Sequence, residues 1–275
     1  MQKIVNERMI LMTNKDRQNS IKEIIHDKLK VKVSDLSIHF SVTPETIRRD
    51  LETLERDGYV TRTHGGAILK PSIETPNSDQ SVYMSRRLLN HAEKTKMAEV
   101  LIRSKLIPDY ASILCDSSST VFRALQMLYD RDDLTVIVNN LRIVEELSRT
   151  KLNVVFTGGN VNPRTHSLEG PFATDTVLKS HVDIVLVSSL GLTLDGGVFD
   201  SYGAEAEIKK LMLNQGKKVI LMADHTKLNK KSIIQLWDIE AIDIFITDVQ
   251  PSPVWMELFQ EKNVTVYFPT SDNLL

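Results

Sequence analysis

Two groups of residues in this chain have types and spacings suited to chemistry. The first is a series of polar clusters, each standing just after a short apolar run. Cys115 is followed by Asp116-Ser-Ser-Ser-Thr120, Val138 by Asn139-Asn140, Phe156 by Thr157-Gly-Gly-Asn160, and Val187 by Ser188-Ser189. Met222 is likewise followed by Ala223-Asp-His-Thr-Lys227, and Ile246 by Thr247-Asp248. If the apolar runs are parallel strands, the clusters fall outside their carboxyl ends, where open α/β sheets bind ligands. The chemistry suits a phosphorylated small molecule. The hydroxyls and amides of Ser117, Ser118, Ser119 and Thr120 stand where a helix is expected to begin, which favours an anion, and the Gly158-Gly159 turn lets a second stretch of backbone approach closely. Arg164 and Lys227 add positive charge, while Asp116, Asn139, Asp195 and Asp224 are placed to exchange hydrogen bonds with sugar hydroxyls. Each of these residues taken singly also has an ordinary reading, as loop polarity or a helix cap.

The second group lies between Thr43 and Arg56. Thr43 suits an N-cap, Pro44 the first helical position and Glu45 the positive end of the dipole, and Gly58 supplies the stop. Ile47, Leu51 and Leu54 recur at helical spacing, which leaves Thr46, Arg48 and Arg49 on the outward face. An amphipathic helix with a basic outer side is suited to DNA. Arg48 and Arg49, with Thr43, Glu45 and Thr46, are expected to contact bases or phosphates, since an arginine fork matches guanine in the major groove. The alternating stretch from Tyr59 to His64, closed by Gly65-Gly66, reads as a β-wing that sends Arg62 and His64 toward the phosphate backbone. An ordinary solvated hairpin is the alternative.

Positioning these residues requires particular elements. Ile21, Ile24, Ile25 and Leu29 form one face of a first helix closed by Lys30, and Ser34 is expected to cap a short second helix whose Leu36 and Phe40 face the core. With a Ser41-Val42 turn, the second helix and the Thr43 helix make a helix-turn-helix unit. Residues 1–14 lack a cap or a sustained period and read as a tail, residues 15–70 as the DNA-binding domain. Residues 71–82, with two prolines and many small polar side chains, read as a linker. From 83 to 275, apolar runs (Ile113 to Cys115, Leu134 to Val138, Val154 to Phe156, Ile184 to Val187, Val219 to Met222, Ile244 to Ile246, Val264 to Phe268) alternate with helical segments. That alternation implies a larger, mostly parallel α/β domain with both faces covered.

Composition agrees with two soluble domains. The 275 residues are 41% hydrophobic and 25% charged, ordinary values for a globular chain. The apolar runs fall far short of the roughly 20 residues that a membrane helix needs, and no leader pattern opens the chain, so a cytoplasmic protein is expected. Residues 1–70 hold 13 Lys plus Arg against 10 Asp plus Glu within an overall charge of -2, an asymmetry that places any DNA contact at the N-terminal end. The single cysteine, Cys115, excludes an internal disulfide and reads as a buried thiol. The seven histidines lack ligand spacing, so no metal is expected. Gly191 to Gly197 only approaches a phosphate loop, with Gly197 where lysine is needed, and no nucleotide or other cofactor is expected.

The run from Ile21 through Val33-Ser-Asp-Leu, Ser41-Val-Thr-Pro-Glu-Thr-Ile-Arg-Arg-Asp-Leu and Tyr59 to His64-Gly-Gly-Ala67 resembles the DeoR family of bacterial transcription regulators. The Asp-Ser-Ser-Ser-Thr loop, the Thr-Gly-Gly turn with Leu168-Glu-Gly-Pro171, the Asp224-His-Thr-Lys227 run and Ile246-Thr-Asp248 are similar to that family's effector domain. The likeness spans nearly the whole chain from about Lys15. It implies an N-terminal winged helix-turn-helix joined to an effector-binding and oligomerisation domain related in fold to sugar-phosphate isomerases. It also implies a repressor of a carbohydrate-metabolism operon that binds double-stranded operator DNA as a homo-oligomer, a dimer or tetramer, and answers to a phosphorylated sugar. Ser117, Ser118 and Ser119 depart from the Gly or Thr of many relatives. Two other readings compete. One is an isomerase-like enzyme with a DNA-binding module, using Asp195, Asp200, Glu205 and Lys227, against which stands the absence of a glycine-rich lysine segment. The other is a DNA-binding architectural protein with no effector, against which stand the polar strand ends.

Overall fold

The computed structural model describes residues 14–28, 30–69, 86–200 and 203–270. The chain divides into two compact units, 1–88 and 89–275. The tail through residue 13, Leu29 and the expected linker 71–82 lie outside the described residues.

In the first unit, helix α1 (Asn14–Lys28) is followed by strand β1 (Lys30–Lys32), helices α2 (Val33–Phe40) and α3 (Pro44–Arg56), and strands β2 (Val60–Thr63) and β3 (Gly66–Leu69). Ser41 adopts a left-handed φ of 52° and turns the chain out of α2, with its own amide and that of Val42 donating to Ile38 and Ser37 carbonyls. Thr43 then caps α3 by accepting from the Thr46 amide at 3.3 Å, and Pro44 occupies the first helical turn, as expected from the sequence. At the other end Gly58 takes φ 77° and the Tyr59 amide reaches back to the Leu54 carbonyl at 2.8 Å, which consumes an orphan acceptor of the last turn. The expected cap of α2 is corrected. Lys32 is the N-cap residue, without a side-chain cap bond, and Ser34 lies inside the helix with its hydroxyl donating to Asp35. The cause is β1. Lys30 does not close α1 but begins a strand that pairs with β3, so the helix starts directly where the strand ends. The wing is therefore three-stranded, in the order β1-β3-β2. Gly66 is required there, because a Cβ would lie 2.0 Å from the Val31 carbonyl oxygen. Ile21, Ile25, Val31, Leu36, Ile47, Leu51, Leu54, Val60 and Ala67 make one core.

The second unit is built on seven parallel strands in the order β15-β14-β12-β9-β4-β5-β6. They are β4 (Ser112–Cys115), β5 (Thr135–Val138), β6 (Asn153–Phe156), β9 (Val182–Ser188), β12 (Gly216–Met222), β14 (Ile244–Ile246) and β15 (Thr265–Tyr267), matching all seven apolar runs. Alternation of side chains sends Ile113, Cys115, Val136, Leu186 and Met222 to one face, under α4 (His91–Arg103), α5 (Ser119–Gln126) and α6 (Leu141–Leu147). Leu114, Val185, Leu221 and Phe245 go to the other, under α7 (Pro171–Lys179), α8 (Gly203–Met212) and α9 (Pro253–Glu261). Two small additions were not expected from the sequence: the pair β7 (Asn160–Val161) with β8 (Leu168–Glu169), and the antiparallel sheet of β10 (Gly191–Leu192), β11 (Gly197–Asp200) and β13 (Ile234–Asp238). Among the described residues no helix is long and apolar enough to cross a membrane.

The strand order locates the candidate site. From β4 the chain builds outward to β5 and β6, and then returns to lay β9 against the opposite side of β4 before moving away through β12, β14 and β15. The reversal makes β4 and β9 the topological switch point, and the two loops leaving their carboxyl ends must diverge and leave a crevice.

Candidate functional site

At the switch point Asp116 follows β4 directly and is fully buried. Its Oδ1 accepts the Ser118 amide and its Oδ2 the Ser188 amide, both at 3.0 Å, so it fastens the loop after β4 to the end of β9. The Lys209 ammonium, from α8, stands 3.0 Å from the same Oδ2, 2.6 Å from Asp200 and 3.0 Å from the Ser188 carbonyl oxygen. Burial favours a neutral Lys209, but the charges of Asp116, Asp200 and Glu205 outweigh it and raise the pKa above the ordinary lysine value. The same burial, with Asp116 beside it, pushes the Cys115 thiol well up, so this sulfur stays protonated and unreactive. Glu205 stands 3.4 Å from the Ser117 hydroxyl.

The loop after β4 then opens α5. Ser118 is the N-cap, its Oγ accepting from the Val121 amide at 3.2 Å, so Ser119 and Thr120 form the first turn. Amides of a first turn lack intrahelical acceptors and attract negative charge. On either side of this turn lies a buried polar atom with no partner among the described residues: Asn139 Oδ1, after β5, and Ser189 Oγ, after β9. Unpaired buried polar atoms are costly and rare in folded proteins, and these two, after the strands that flank β4 on either side, leave hydrogen-bonding capacity unmet at the switch point.

The other expected ligand residues divide. Gly158 takes φ 70° with open space where a side chain would project, and Gly159 takes φ 107°, with a Cβ position only 2.5 Å from the Glu169 carbonyl oxygen. Both therefore need glycine, the first for conformation and the second for close approach to β8. Asp224 is buried after β12 and begins a short 3-10 turn. Burial would raise its pKa, yet hydrogen bonds from Thr226 and Asn90 and the charge of Lys227 hold it below the usual carboxylate value. Lys227 is half-buried in that turn. Arg164 is exposed between β7 and β8. Asp195 is not brought to the cluster. It sits exposed at the tip joining β10 to β11, bonded to the Thr193 hydroxyl, while β11 reaches Lys209 with its opposite end, Asp200. Sequence reasoning missed Lys209 altogether, and it placed Ser189, His225 and Asp248 in polar strand-end clusters without assigning them a role or seeing that His225 and Asp248 pair at 2.8 Å. The Glu205-to-Lys209 spacing of one helical turn was visible, but it reads equally well as an exposed ion pair.

In the first unit, α3 presents Glu45, Arg48 and Arg49 to solvent, with Thr43 exposed and Thr46 half-buried at its start. Glu45 lies 3.2 Å from Arg48 and 3.9 Å from Arg49. Arg62 leans back onto α3, 2.6 Å from Glu52, rather than standing free at the wing. His64 sits in the wing turn. Asp50, one residue past Arg49, points inward instead. It is buried and takes Arg17 of α1 in a forked ion pair, with Nε to Oδ2 at 2.6 Å and Nη2 to Oδ1 at 3.3 Å, while Gln18 adds a bond at 3.0 Å. The pair fixes the helix that carries Arg48 and Arg49 to α1.

Residues 17–72 match a family profile described as a DeoR-like helix-turn-helix domain, and residues 89–249 match the DeoR C terminal sensor domain. The chain is 33% identical over 252 residues to an uncharacterized HTH-type transcriptional regulator, YulB, of Bacillus subtilis (strain 168), covering 91% of this chain and 95% of that one. It is 26% identical over 255 residues to the glycerol-3-phosphate regulon repressor of Escherichia coli (strain K12), covering 92% and 98%. Among solved structures, ribose 5-phosphate isomerase from Plasmodium falciparum overlaps 49% of this chain and 52% of its own at 16% identity, with a TM-score of 0.35, a likeness too slight to bear on function.

Proposed function

The chain belongs to the DeoR family of transcriptional regulators, and on that premise we propose that it is a repressor of a carbohydrate-metabolism operon, released or engaged by a phosphorylated sugar or sugar derivative. The observation that carries this reading is the pair of unpartnered buried atoms, Asn139 Oδ1 and Ser189 Oγ, flanking the first turn of α5 at the switch point. A phosphate against Ser117 to Thr120, with hydroxyls donating to Asn139 and meeting Ser189, satisfies both the helix amides and the orphaned atoms. Gly158 and Gly159 let the opposite loop close on the ligand, and Lys227 and Asp224 extend the site along the strand ends. The name of the Escherichia coli relative, a glycerol-3-phosphate regulon repressor, is in keeping with a small phosphorylated effector.

On the DNA side, Arg48 and Arg49 read bases, assisted by Thr43, Thr46 and Glu45, while Ser34, Arg62 and His64 hold the backbone. Glu45 lies between the two arginines and orients both forks before DNA arrives. Helix-turn-helix proteins bind as symmetric dimers to paired half-sites, so two copies of the chain are expected on one operator. The effector acts only through unequal affinity for the DNA-competent and DNA-incompetent arrangements.

The test is a thermal-shift screen of the full chain against phosphorylated and unphosphorylated sugars, followed by titration of any hit into a complex with DNA selected by the protein from a random pool. A phosphate-dependent shift that also changes DNA affinity is expected. Stabilisation by hits that leave DNA affinity untouched would refute ligand control.

A further inference from the structure

The wing borders a basic cleft, two of whose lysines take no part in the contacts above. Lys30 and Lys32 are exposed at alternate positions of β1, with Val31 between them turned into the core. Side chains two apart on a strand leave the same face, so the two ammonium groups stand side by side, with stems about 7 Å apart. Together with Ser34, Arg48, His64 and Gly65 they border a cleft of about 430 Å3 between the wing turn and the starts of α2 and α3. The platform is firm, because β1 pairs with β3, Lys30 standing opposite Ile68 and Lys32 opposite Gly66, and the Val33 amide extends the ladder by donating to the Gly65 carbonyl at 2.8 Å.

The cations of this unit fall into two classes. Arg48 and Arg49 share Glu45, and Arg62 is held by Glu52. Neither Lys30 nor Lys32 meets a carboxylate among the described residues. Among the described residues, then, two ammonium groups without a carboxylate face one concavity, with Arg48, paired to Glu45, on its far wall.

We propose that this cleft seats the DNA backbone, with Lys30 and Lys32 each on a phosphate, and that β1 is thereby a further DNA-contacting element beside α2, α3 and the wing. The inference rests on the DNA-binding reading and deepens it. Phosphate rather than base is the partner because a lysine is a point charge with freely rotating donors, without the planar fork that discriminates base edges. These contacts set register and affinity, and leave sequence choice to α3.

The salt dependence of binding tests this with the full chain. Each phosphate contact contributes about 0.9 to the slope of log affinity against log salt on duplex DNA. The probes are a mixed-sequence duplex and a duplex selected by the wild-type protein from a random pool. Lys30→Gln with Lys32→Gln is expected to lower the slope by about 1.8 per bound copy of the chain on both probes, and to leave the ratio of the two affinities unchanged. Lys30→Arg with Lys32→Arg is expected to keep the wild-type slope. An unchanged slope in the glutamine variant overturns the seat, and so does a collapse of the affinity ratio, which would mean that the lysines read bases. If the wild-type protein itself shows no preference for the selected duplex and no salt-dependent affinity, the DNA-binding reading fails instead.

Discussion

Removing the Asp50 carboxylate is the sharpest test of how the recognition helix is held. In Asp50→Ala the Arg17 guanidinium stays buried, at 7% exposure, with the partner of its 2.6 Å and 3.3 Å bonds gone. Breaking a buried ion pair from one side costs about 3–5 kcal/mol, because the remaining charge is uncompensated. A small domain holds about 0.05–0.15 kcal/mol per residue, roughly 3–8 kcal/mol at this size, so the variant should leave the first unit near its unfolding midpoint. The second unit should be untouched. Both tryptophans, Trp237 and Trp255, lie in that second unit, so their fluorescence reports it alone while far-ultraviolet circular dichroism reports both. We predict an early dichroism transition in urea for Asp50→Ala, an unmoved tryptophan transition, and loss of DNA binding at denaturant concentrations that the wild type tolerates. Arg17→Met with Asp50→Leu removes both charges and should recover most of the stability, since apolar replacement of a whole buried pair is often neutral. A loss below about 1 kcal/mol in Asp50→Ala, the range of an exposed pair, would refute the reasoning.

Three further outcomes are expected. Arg48→Ala should reduce discrimination between the selected duplex and its single-base variants by about 1–3 kcal/mol at one position; intact preference in a competition assay would reassign base reading to Arg49. Asn139→Leu with Ser189→Ala should abolish the thermal shift from any phosphorylated hit while leaving the unliganded protein as stable or more so, because each change removes a buried atom without a partner. A destabilised apo protein would show that unseen partners satisfy those atoms. Asp183 is held well below the usual carboxylate range by Lys217 first, then by the Ser112 amide and hydroxyl. A depressed carboxylate stabilises the fold above its unfolded value of about 3.9 and loses that contribution as pH falls through the folded value. Lys217→Met should therefore move the acid limb of the tryptophan transition to higher pH, and coincident limbs would count against the pair.

The parallel sheet was legible because strands buried on both faces are continuous apolar runs, such as Ile184 to Val187, and the following hydroxyls and glycines mark their ends. The cap and stop of α3 were legible because Thr43, Pro44 and Gly58 act through local geometry. What escaped was non-local. Two-residue strands such as Gly191–Leu192 carry no period, and β1 was hidden in a three-residue step whose pairing partner lies more than thirty positions on. Asp50 and Lys209 are charged residues on amphipathic helices, where the default is solvent. Nothing nearby in the chain announces that Arg17 or Asp116 waits to receive them. Ser34 misled for the same reason, as a good capping residue displaced by a strand that only tertiary pairing creates.

The reversal at β4 and β9 also fixes the order in which the site can come into being. As the chain emerges during synthesis, β4, β5 and β6 can associate early, but the carboxyl end of β4 has its second neighbour only after β9 is made, since Asp116 and Ser188 stand 72 residues apart. Lys209 arrives later still, on the helix that follows. Contacts of such long sequence separation form slowly, after the costs of closing large loops have been met. A molecule that occupies this crevice therefore binds only chains in which both halves of the sheet have joined, and its presence during synthesis favours the completed fold over every partial one.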